Sequence, residues 1–272
     1  MAILEHKVKE QKVNQTMKRI TTDWEWAANY EFSSKGRIWL VWDVMEVECV
    51  VKEKSEQFIH ANVLVKDMNM KFDFTAVYGL HTLEDRRKLW MDLLQIKSNI
   101  QEAWLIMGDF NAIRSKEDRP TGNPVQEGKV KDFNNFVDDA ILTEMRINGR
   151  EFTWTNGHTY SRIDRALVND KWTLTMPQLE VWVMDPGCSD HSPLNITFID
   201  KEESGPKPFK FLNHLADHKD FLEIVNKAWI GGWTGDKMKD VWEKLKRVKI
   251  AMKKLNAEEY NAVGGRIAKC RE

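Results

Sequence analysis

The chain has 272 residues, 42% of them hydrophobic and 31% charged, which is ordinary for a soluble globular protein with room for a sizeable core. The formal net charge of −1 excludes the overall basic character that would announce a nucleic-acid binder. No apolar run approaches the roughly 20 residues that span a bilayer, so no membrane partner is expected.

The charge is unevenly distributed along the chain. Residues 206–272 carry 15 Lys and Arg against 9 Asp and Glu, a net charge of +6, which leaves −7 for residues 1–205. The acidic part contains the candidate metal site described below, where a divalent cation would supply positive charge for a phosphate. The imbalance is therefore compatible with a carboxylate-rich cation site.

The cysteines, Cys49, Cys188 and Cys270, are odd in number and lack metal-ligand spacing. They indicate free thiols in a reducing compartment rather than a disulfide framework. Charged residues at positions 5–7 interrupt the N-terminus, so we expect no signal peptide.

Short apolar or alternating runs recur through the first two hundred residues and predict β-strands. The predicted strands are residues 38–42, 58–65, 72–78, 103–107, 152–155, 162–168, 179–184 and 194–199. Strands with helices inserted between them predict two packed sheets covered by helices, which is an α/β sandwich.

Two amphipathic helices are predicted between the strands. The first opens at Thr82, with Asp85 at capping-box spacing, and its inward residues are Leu89, Trp90, Leu93, Leu94 and Ile100. The second begins near Lys129, and its apolar side consists of Val130, Phe133, Val137, Ala140 and Ile141.

A polar segment closed by two prolines, residues 201–208, predicts a domain boundary. We expect a main domain over residues 1–200, a linker over 201–208 and a helical extension over 209–272. In the extension, apolar residues spaced alternately three and four apart predict one helical seam: Met238, Val241, Leu245, Val248, Met252 and Leu255. Lysines and arginines cover the rest of that helix, either as a solvated face or as a nucleic-acid contact.

Three acidic motifs follow predicted strands or lie at their edges. They are Gly108-Asp109-Phe110-Asn111, Ser161-Arg162-Ile163-Asp164-Arg165 and Ser189-Asp190-His191-Ser192. Hydrolysis of a phosphodiester requires an activated water and stabilisation of the phosphoryl oxygens. We predict that Asp109 deprotonates the water, that Asn111 offers its amide from the same side of an extended chain, and that His191 donates to a phosphate oxygen. Each motif alone is also compatible with a simple turn.

In this order, the motifs resemble the endonuclease/exonuclease/phosphatase superfamily, with its DNase I-like fold. Within it, the chain resembles the endonuclease domain of plant LINE-type (non-LTR) retrotransposons. The closer likeness is carried by Val77-Tyr78-Gly79, Arg86-Arg87-Lys88-Leu89-Trp90, Phe152-Thr153-Trp154-Thr155-Asn156 and Arg162-Ile163-Asp164-Arg165-Ala166-Leu167-Val168-Asn169. Residues 209–211 and 221–229 resemble the stretch that leads to the reverse transcriptase in such elements.

The resemblance implies a four-layer α/β sandwich, in which two mixed sheets are flanked by helices. It implies a DNA endonuclease that nicks one strand and depends on Mg²⁺, with Mn²⁺ as a second candidate. DNA is the expected partner, and a reverse transcriptase domain or RNA is expected in a full-length element. The expected location is nuclear.

The resemblance also assigns roles to individual residues. Asp164 would keep His191 protonated and oriented, and Asp190 would lie beside the metal or its water shell. Tyr78 would hold the phosphate, although a strand-end tyrosine is also common in packing. The element Glu5-His6-Lys7 would place Glu5 on the metal and Lys7 at the substrate, unless the N-terminus is frayed.

Arg162 and Arg165 flank Asp164 and have two interpretations. They are candidates for contacts to the DNA backbone, with strand-edge ion pairs as the alternative.

The main departure from the family lies at the N-terminus. The family begins with a strand that ends in an Asn, usually within Trp-Asn-x-Arg-Gly, and this chain has no such segment before Glu5. We therefore expect an N-terminally truncated domain with one strand missing and an unpaired sheet edge. The alternative function is a catalytically inactive remnant that at most binds nucleic acid or a protein. A phosphoinositide phosphatase is less favoured, because its Pro-Ala-Trp-Cys-Asp-Arg pattern is replaced by residues 160–165.

Overall fold

A computed structural model gives the fold and describes residues 1–122, 127–176, 178–198, 216, 218–231, 235 and 237–259. The chain divides into two compact units, Met1–Asp200 and Lys201–Glu272. The predicted linker, 201–208, and the family-like piece 209–211 lie outside the described residues, so the assignment of domains and linker stays a prediction.

The first unit contains strands β1 to β14 and helices α1 to α4. The strands are β1 Ala2–Leu4, β2 Trp24–Ala28, β3 Ile38–Asp43, β4 Val47–Lys54, β5 Phe58–Val65, β6 Met70–Tyr78, β7 Trp104–Asp109, β8 Thr143–Glu144, β9 Ile147–Gly149, β10 Trp154–Thr155, β11 Tyr160–Ser161, β12 Asp164–Val168, β13 Val181–Val183 and β14 Leu194–Ile196. The helices are α1 Val13–Ile20, α2 Leu83–Asn99, α3 Glu127–Asp139 and α4 Asp170–Thr175. Across the described part of the chain, no helix is long and apolar enough to cross a membrane.

One six-stranded sheet forms the centre of this unit, in the order β4-β5-β6-β7-β12-β8. It is mixed, because β6 and β7 are parallel while their other neighbours are antiparallel. Two three-stranded sheets have the orders β1-β3-β2 and β14-β13-β9. The edges of β1 and β14 are unpaired among the described residues.

Alternating side chains sort these elements into four layers. In β3, Ile38 and Leu40 join a core between the central sheet and the small sheets, while Trp39 and Val41 pack against α1 on the outer side. The opposite face of the central sheet packs against α2 and α3. The predicted α/β sandwich with mixed sheets and flanking helices is confirmed, although the second sheet is present as two three-stranded pieces.

The helix α2 begins where the sequence predicts. Thr82 is its N-cap, and the Asp85 N–H donates to the Thr82 hydroxyl over 3.1 Å. In α3 the prediction is wrong for Ile141, which is 70% exposed. The helix ends at Asp139 and Ile141 adopts a φ of 54°, so its side chain leaves the helical face.

Several edge elements escape the sequence patterns. Strand β4 buries one side only partly, and α1 buries just two residues, Val13 and Met17. Predicted strand 152–155 contracts to Trp154–Thr155. These elements are short or largely polar and bury few side chains, so the apolar runs that identify strands and helices are missing from them.

The second unit contains two described helices, α5 Phe221–Trp229 and α6 Lys237–Glu259. The predicted seam of α6 is buried only over its second half, where Met252 and Leu255 pack against α5. In the first half of α6, the seam residues Met238, Val241 and Leu245 are exposed, so the seam is not buried there. Of the basic residues on α6, Arg247 donates to the backbone oxygens of residues 228 and 231, and Lys246 lies over Trp242.

His60 belongs to a buried, hydrogen-bonded group of side chains in the central sheet. The Thr75 hydroxyl lies 2.8 Å from His60 Nδ1 and accepts a 2.9 Å hydrogen bond from the Trp104 indole N–H. Burial, followed by the charge of Lys52, lowers the pKa of His60 to about 4. The folded protein therefore requires a neutral imidazole at this position.

We predict that His60→Gln removes part of the acid lability of the fold. Because the folded pKa of His60 is about 4 against 6.5 for the free side chain, protons bind the unfolded chain preferentially between these values. The free energy of unfolding should thus fall as pH drops from 6.5 to 4, by an amount on the order of 2 kcal/mol from this residue. Urea unfolding at several pH values measures the slope.

The exposed His158 provides the control, since His158→Gln should leave the slope of the wild-type protein unchanged. A His60→Gln slope equal to that of the wild type would contradict the assignment.

Candidate active site

Three functional side chains form a row across neighbouring strands of the central sheet. In the register of β6, β7 and β12, Tyr78 lies opposite Asp109, and Asp109 lies opposite Asp164. Residues directly opposite one another point to the same face of a sheet. Because β6 and β7 are parallel, both end at this edge, and β12 begins there.

The row depends on close approach between β6 and β7 at Gly108. Gly108 has a φ of 146°, and a Cβ placed there would lie 2.1 Å from the Val77 carbonyl oxygen. Glycine is therefore required immediately before Asp109, since any side chain would force the strands apart.

The loop after Asp109 differs from the extended chain that the sequence predicts. Strand β7 ends at Asp109, and Asn111 adopts a left-handed φ of 47°. The Asn111 side-chain amide donates to the Gly79 carbonyl over 2.7 Å and to Asp109 Oδ2 over 3.0 Å. The Asn111 backbone N–H donates to Asp109 Oδ1 over 2.7 Å. The extended backbone predicted at Asn111 is thus wrong. The Asn111 amide instead donates to Asp109 and orients that carboxylate.

His191 reaches Asp164 from the loop that precedes β14. Its Nδ1 lies 2.9 Å from Asp164 Oδ2 and 3.1 Å from Oδ1. Burial opposes protonation of His191, but the hydrogen bond to Asp164 and the charges of Asp164, Asp109 and Asp190 raise its pKa to about 9. His191 is therefore an imidazolium near neutral pH, with Nε2 left as a proton donor.

Thr153 holds this pair together, a role that the sequence motifs do not assign to it. The Thr153 hydroxyl accepts from the backbone N–H groups of Ile163 and Asp164 over 3.2 and 3.0 Å. Its carbonyl accepts from the Ser192 N–H over 2.7 Å. One buried residue thereby fixes the loops of both Asp164 and His191. The only sequence signal for this role is that Thr153 lies in the family-like segment 152–156.

Asp109 is only 3% exposed and lies beside a second carboxylate. Burial and the charge of Asp164 raise its pKa well above the usual value, whereas His191 and the Asn111 N–H oppose this shift. A carboxylate with a raised pKa is suited to accept a proton from water.

Glu5 and Tyr78 form a second contact at the edge of the row. The Tyr78 hydroxyl donates to Glu5 Oε1, and burial followed by this hydrogen bond raises the pKa of Tyr78. Glu5 has a φ of 50°, and its N–H donates to the Arg37 carbonyl over 2.9 Å. The N-terminal segment is thus anchored, so the frayed alternative is wrong. The Tyr78 hydroxyl is directed at Glu5, and its predicted contact with the phosphate stays a prediction.

A cavity of about 680 Å³ opens over Asp109 and Asp164. Among the predicted site residues, it is lined by Glu5, Lys7, Asp109, Asp164, Asp190 and His191. Asp190 is exposed and accepts from the Trp154 indole N–H over 3.1 Å. The lining does not include Tyr78, Asn111, Arg162 or Arg165.

The two arginines beside Asp164 make ion pairs instead of facing the cavity. Arg165 is fully buried and binds Asp118 and Glu144, the latter at 2.8 Å. Arg162 Nε lies 3.1 Å from Asp118. Because neighbouring residues of a strand point to opposite faces, Arg165 cannot share the face of Asp164. The prediction of a DNA contact is therefore wrong for the buried Arg165, where the ion-pair alternative holds. For Arg162, which is ion-paired but partly exposed, it stays a prediction.

The donor set fits a divalent cation. One ligand atom each from Asp109, Asp164 and His191 lie within 4.8 Å of one another. An imidazolium has no lone pair to offer, so the carboxylates are the better match for a hard cation. Glu5 and Asp190 line the same cavity, and their assignment as metal ligands stays a prediction.

The sequence profile of the Endonuclease/Exonuclease/phosphatase family matches residues 19–191. The matched range contains Asp109, Asp164 and His191. The chain therefore belongs to this family. A comparison with curated proteins found no match.

Solved structures share the fold at low sequence identity. The AP endonuclease LMAP from Leishmania major is 9% identical with a TM-score of 0.55, over 72% of this chain and 76% of LMAP. The 3′ phosphatase NExo from Neisseria, bound to a product DNA hairpin, is 16% identical with a TM-score of 0.53, over 73% and 88%. The endonuclease domain of TRAS1, a telomere-specific non-LTR retrotransposon, is 9% identical with a TM-score of 0.52, over 64% and 77%.

We predict that Gly108→Ala destabilises the fold by more than about 2 kcal/mol, since the new methyl group would collide with the Val77 backbone. Gly157→Ala is the matched control, because Gly157 also has a positive φ, 86°, but open space around it. Its cost should stay near 1 kcal/mol. Chemical denaturation measures both, and equal losses would contradict the close-approach account.

Proposed function

We propose that this protein is a divalent-metal-dependent DNA endonuclease that hydrolyses a phosphodiester bond and nicks one strand. The observation that carries the proposal is the buried row of Asp109 and Asp164 on neighbouring strands, with His191 held against Asp164. Membership of the family supports hydrolysis of phosphate esters. Mg²⁺ is the proposed cation, with Mn²⁺ as the second candidate.

Each residue of the site has a separate task in this reaction. Asp109, desolvated and oriented by Asn111, accepts the proton of the attacking water. The Nε2 of His191 donates to a phosphoryl oxygen, and Asp164 keeps that imidazole protonated and oriented. Glu5 and Asp190 are the proposed further ligands of the cation at the rim of the cavity. When bound, the cation neutralises charge on the carboxylates and the phosphate.

The proposed biological setting is a non-LTR retrotransposon, in which a nick would provide a 3′-hydroxyl primer for a reverse transcriptase. The family-like segments of the sequence support this setting. The shared fold of the TRAS1 endonuclease domain is compatible with it. Reverse transcriptase, RNA and a nuclear location belong to the same proposal.

A second candidate, a catalytically inactive remnant, is favoured by one observation. Ala2 and Leu4 in β1 and Leu194 in β14 line the active-site cavity, and both strands present unpaired edges among the described residues. A strand placed between them would join the two small sheets. On this account, activity would require a further strand that brings the Asn of the family sequence to the site.

We predict that purified protein nicks supercoiled plasmid in Mg²⁺ and that EDTA abolishes nicking. Asp109→Ala and His191→Ala should each lower the rate by at least about 100-fold, because each removes a proton-transfer or charge-stabilising group. Asp67→Asn, an exposed acid in the turn after β5, is the control and should leave the rate unchanged.

Failure of folded protein to nick, followed by nicking once an Asn-bearing strand is fused before Met1, would establish the remnant. Failure of both would contradict the proposed endonuclease. Inositol phosphates, tested in parallel, should not be hydrolysed.

A further inference from the structure

A second cavity of about 450 Å³ adjoins the active site and is strongly cationic. Lys7, Lys9, Lys35 and Arg37 line it, and Glu5 is the one acid in its lining. We refer to these four basic residues as the cationic pocket. The charge is unexpected here, because residues 1–205 carry a net charge of −7.

The lysines of the cationic pocket are exposed and have no ion pair within the described ranges. Like charges gathered around one cavity repel one another unless an anion joins them. The pocket therefore has the electrostatic character of an anion site.

Arg37 gives an independent indication of the same ligand. Its guanidinium lies 5.0 Å from the centre of the Tyr78 ring, which fixes the plane of the group. Its Nη1 is buried and has no hydrogen-bond partner in the described residues. A buried donor without an acceptor is costly, and the guanidinium holds its positive charge beside the cavity, where that charge attracts an anion.

The cationic pocket is connected to the catalytic cavity through Glu5 and Lys7, which line both. A nucleic-acid strand carries a phosphate about every 3.4 Å along its axis, so a strand held at Asp109 brings further phosphates close by. A small phosphate monoester has no second phosphate to place there.

We propose that the cationic pocket binds a phosphate next to the scissile one on the same strand, so that the substrate is a polynucleotide and not a small phosphate ester. This inference rests on the proposed function. The loop before β3 and the segment after β1 thus set substrate length, while the row of acids performs the chemistry.

The test is the affinity for a fluorescein-labelled DNA oligonucleotide, measured in EDTA so that no turnover occurs. The double variant Lys9→Ala/Lys35→Ala should bind about tenfold more weakly at low salt, and the slope of log K against log salt should fall by about one to two. The control is Lys71→Ala/Lys131→Ala, which removes the same charge from exposed lysines at the start of β6 and on α3. The control should match the wild type in both quantities.

Hydrolysis separates this inference from the proposed function. The pocket variant should lose at least five times more kcat/KM on the oligonucleotide than on bis(4-nitrophenyl) phosphate, a diester without flanking phosphates. The proposal would be overturned if the pocket variant lost equal kcat/KM on both substrates. It would also be overturned if the variant had the DNA affinity and salt slope of the wild type. Absence of hydrolysis by the wild type would count against the proposed function alone, because the binding assay does not depend on it.

Discussion

Two buried carboxylates, Asp109 and Asp164, lie side by side on neighbouring strands. The other residues of the site contact this pair or compensate its charge. Desolvation and mutual repulsion both disfavour two negative charges there. The structure provides partial compensation through the imidazolium of His191 and the hydrogen bonds from Asn111. A divalent cation would complete the compensation, so the repulsion between the two carboxylates favours binding of a cation between them.

The backbone fixes this arrangement with little freedom. The parallel pairing of β6 and β7 brings two strand ends to one edge, and the glycine at 108 allows them to approach. Thr153 then ties the Asp164 strand to the His191 loop. Because side chains alternate along the strand, Arg165 lies on the opposite face of the sheet. There it forms buried ion pairs with Asp118 and Glu144. The acids are thus held by buried, hydrogen-bonded neighbours on both faces.

The acids that the structure brings together are visible in the sequence because their signal is local. An apolar strand that ends in Asp109, and a Ser-Asp-His motif before another strand, are visible without any knowledge of long-range packing. The α/β sandwich follows from strands and helices of clear periodicity. The predicted strand 162–168 already contains both Asp164 and Arg165, so its alternation places these two side chains on opposite faces.

Other features depend on contacts between distant segments and leave no local pattern. The Thr153 hydroxyl gains its role only when residues ten positions later fold back onto it. The left-handed turn at Asn111 replaces the expected extended chain. The cationic pocket combines residues 7–9 with 35–37, which the pairing of β1 with β3 brings together.

The most direct test of the account is thermal unfolding of wild type and Asp109→Asn, in EDTA and across a Mn²⁺ titration. Because burial raises the pKa of Asp109, its ionised form costs stability at neutral pH, so the variant should be at least as stable as the wild type in EDTA. Mn²⁺ should stabilise the wild type, by about 2.7 kcal/mol at 100 times its Kd, and stabilise the variant by less at the same Mn²⁺ concentration. Equal stabilisation of both proteins by Mn²⁺, or none in the wild type, would contradict a metal site built on these carboxylates.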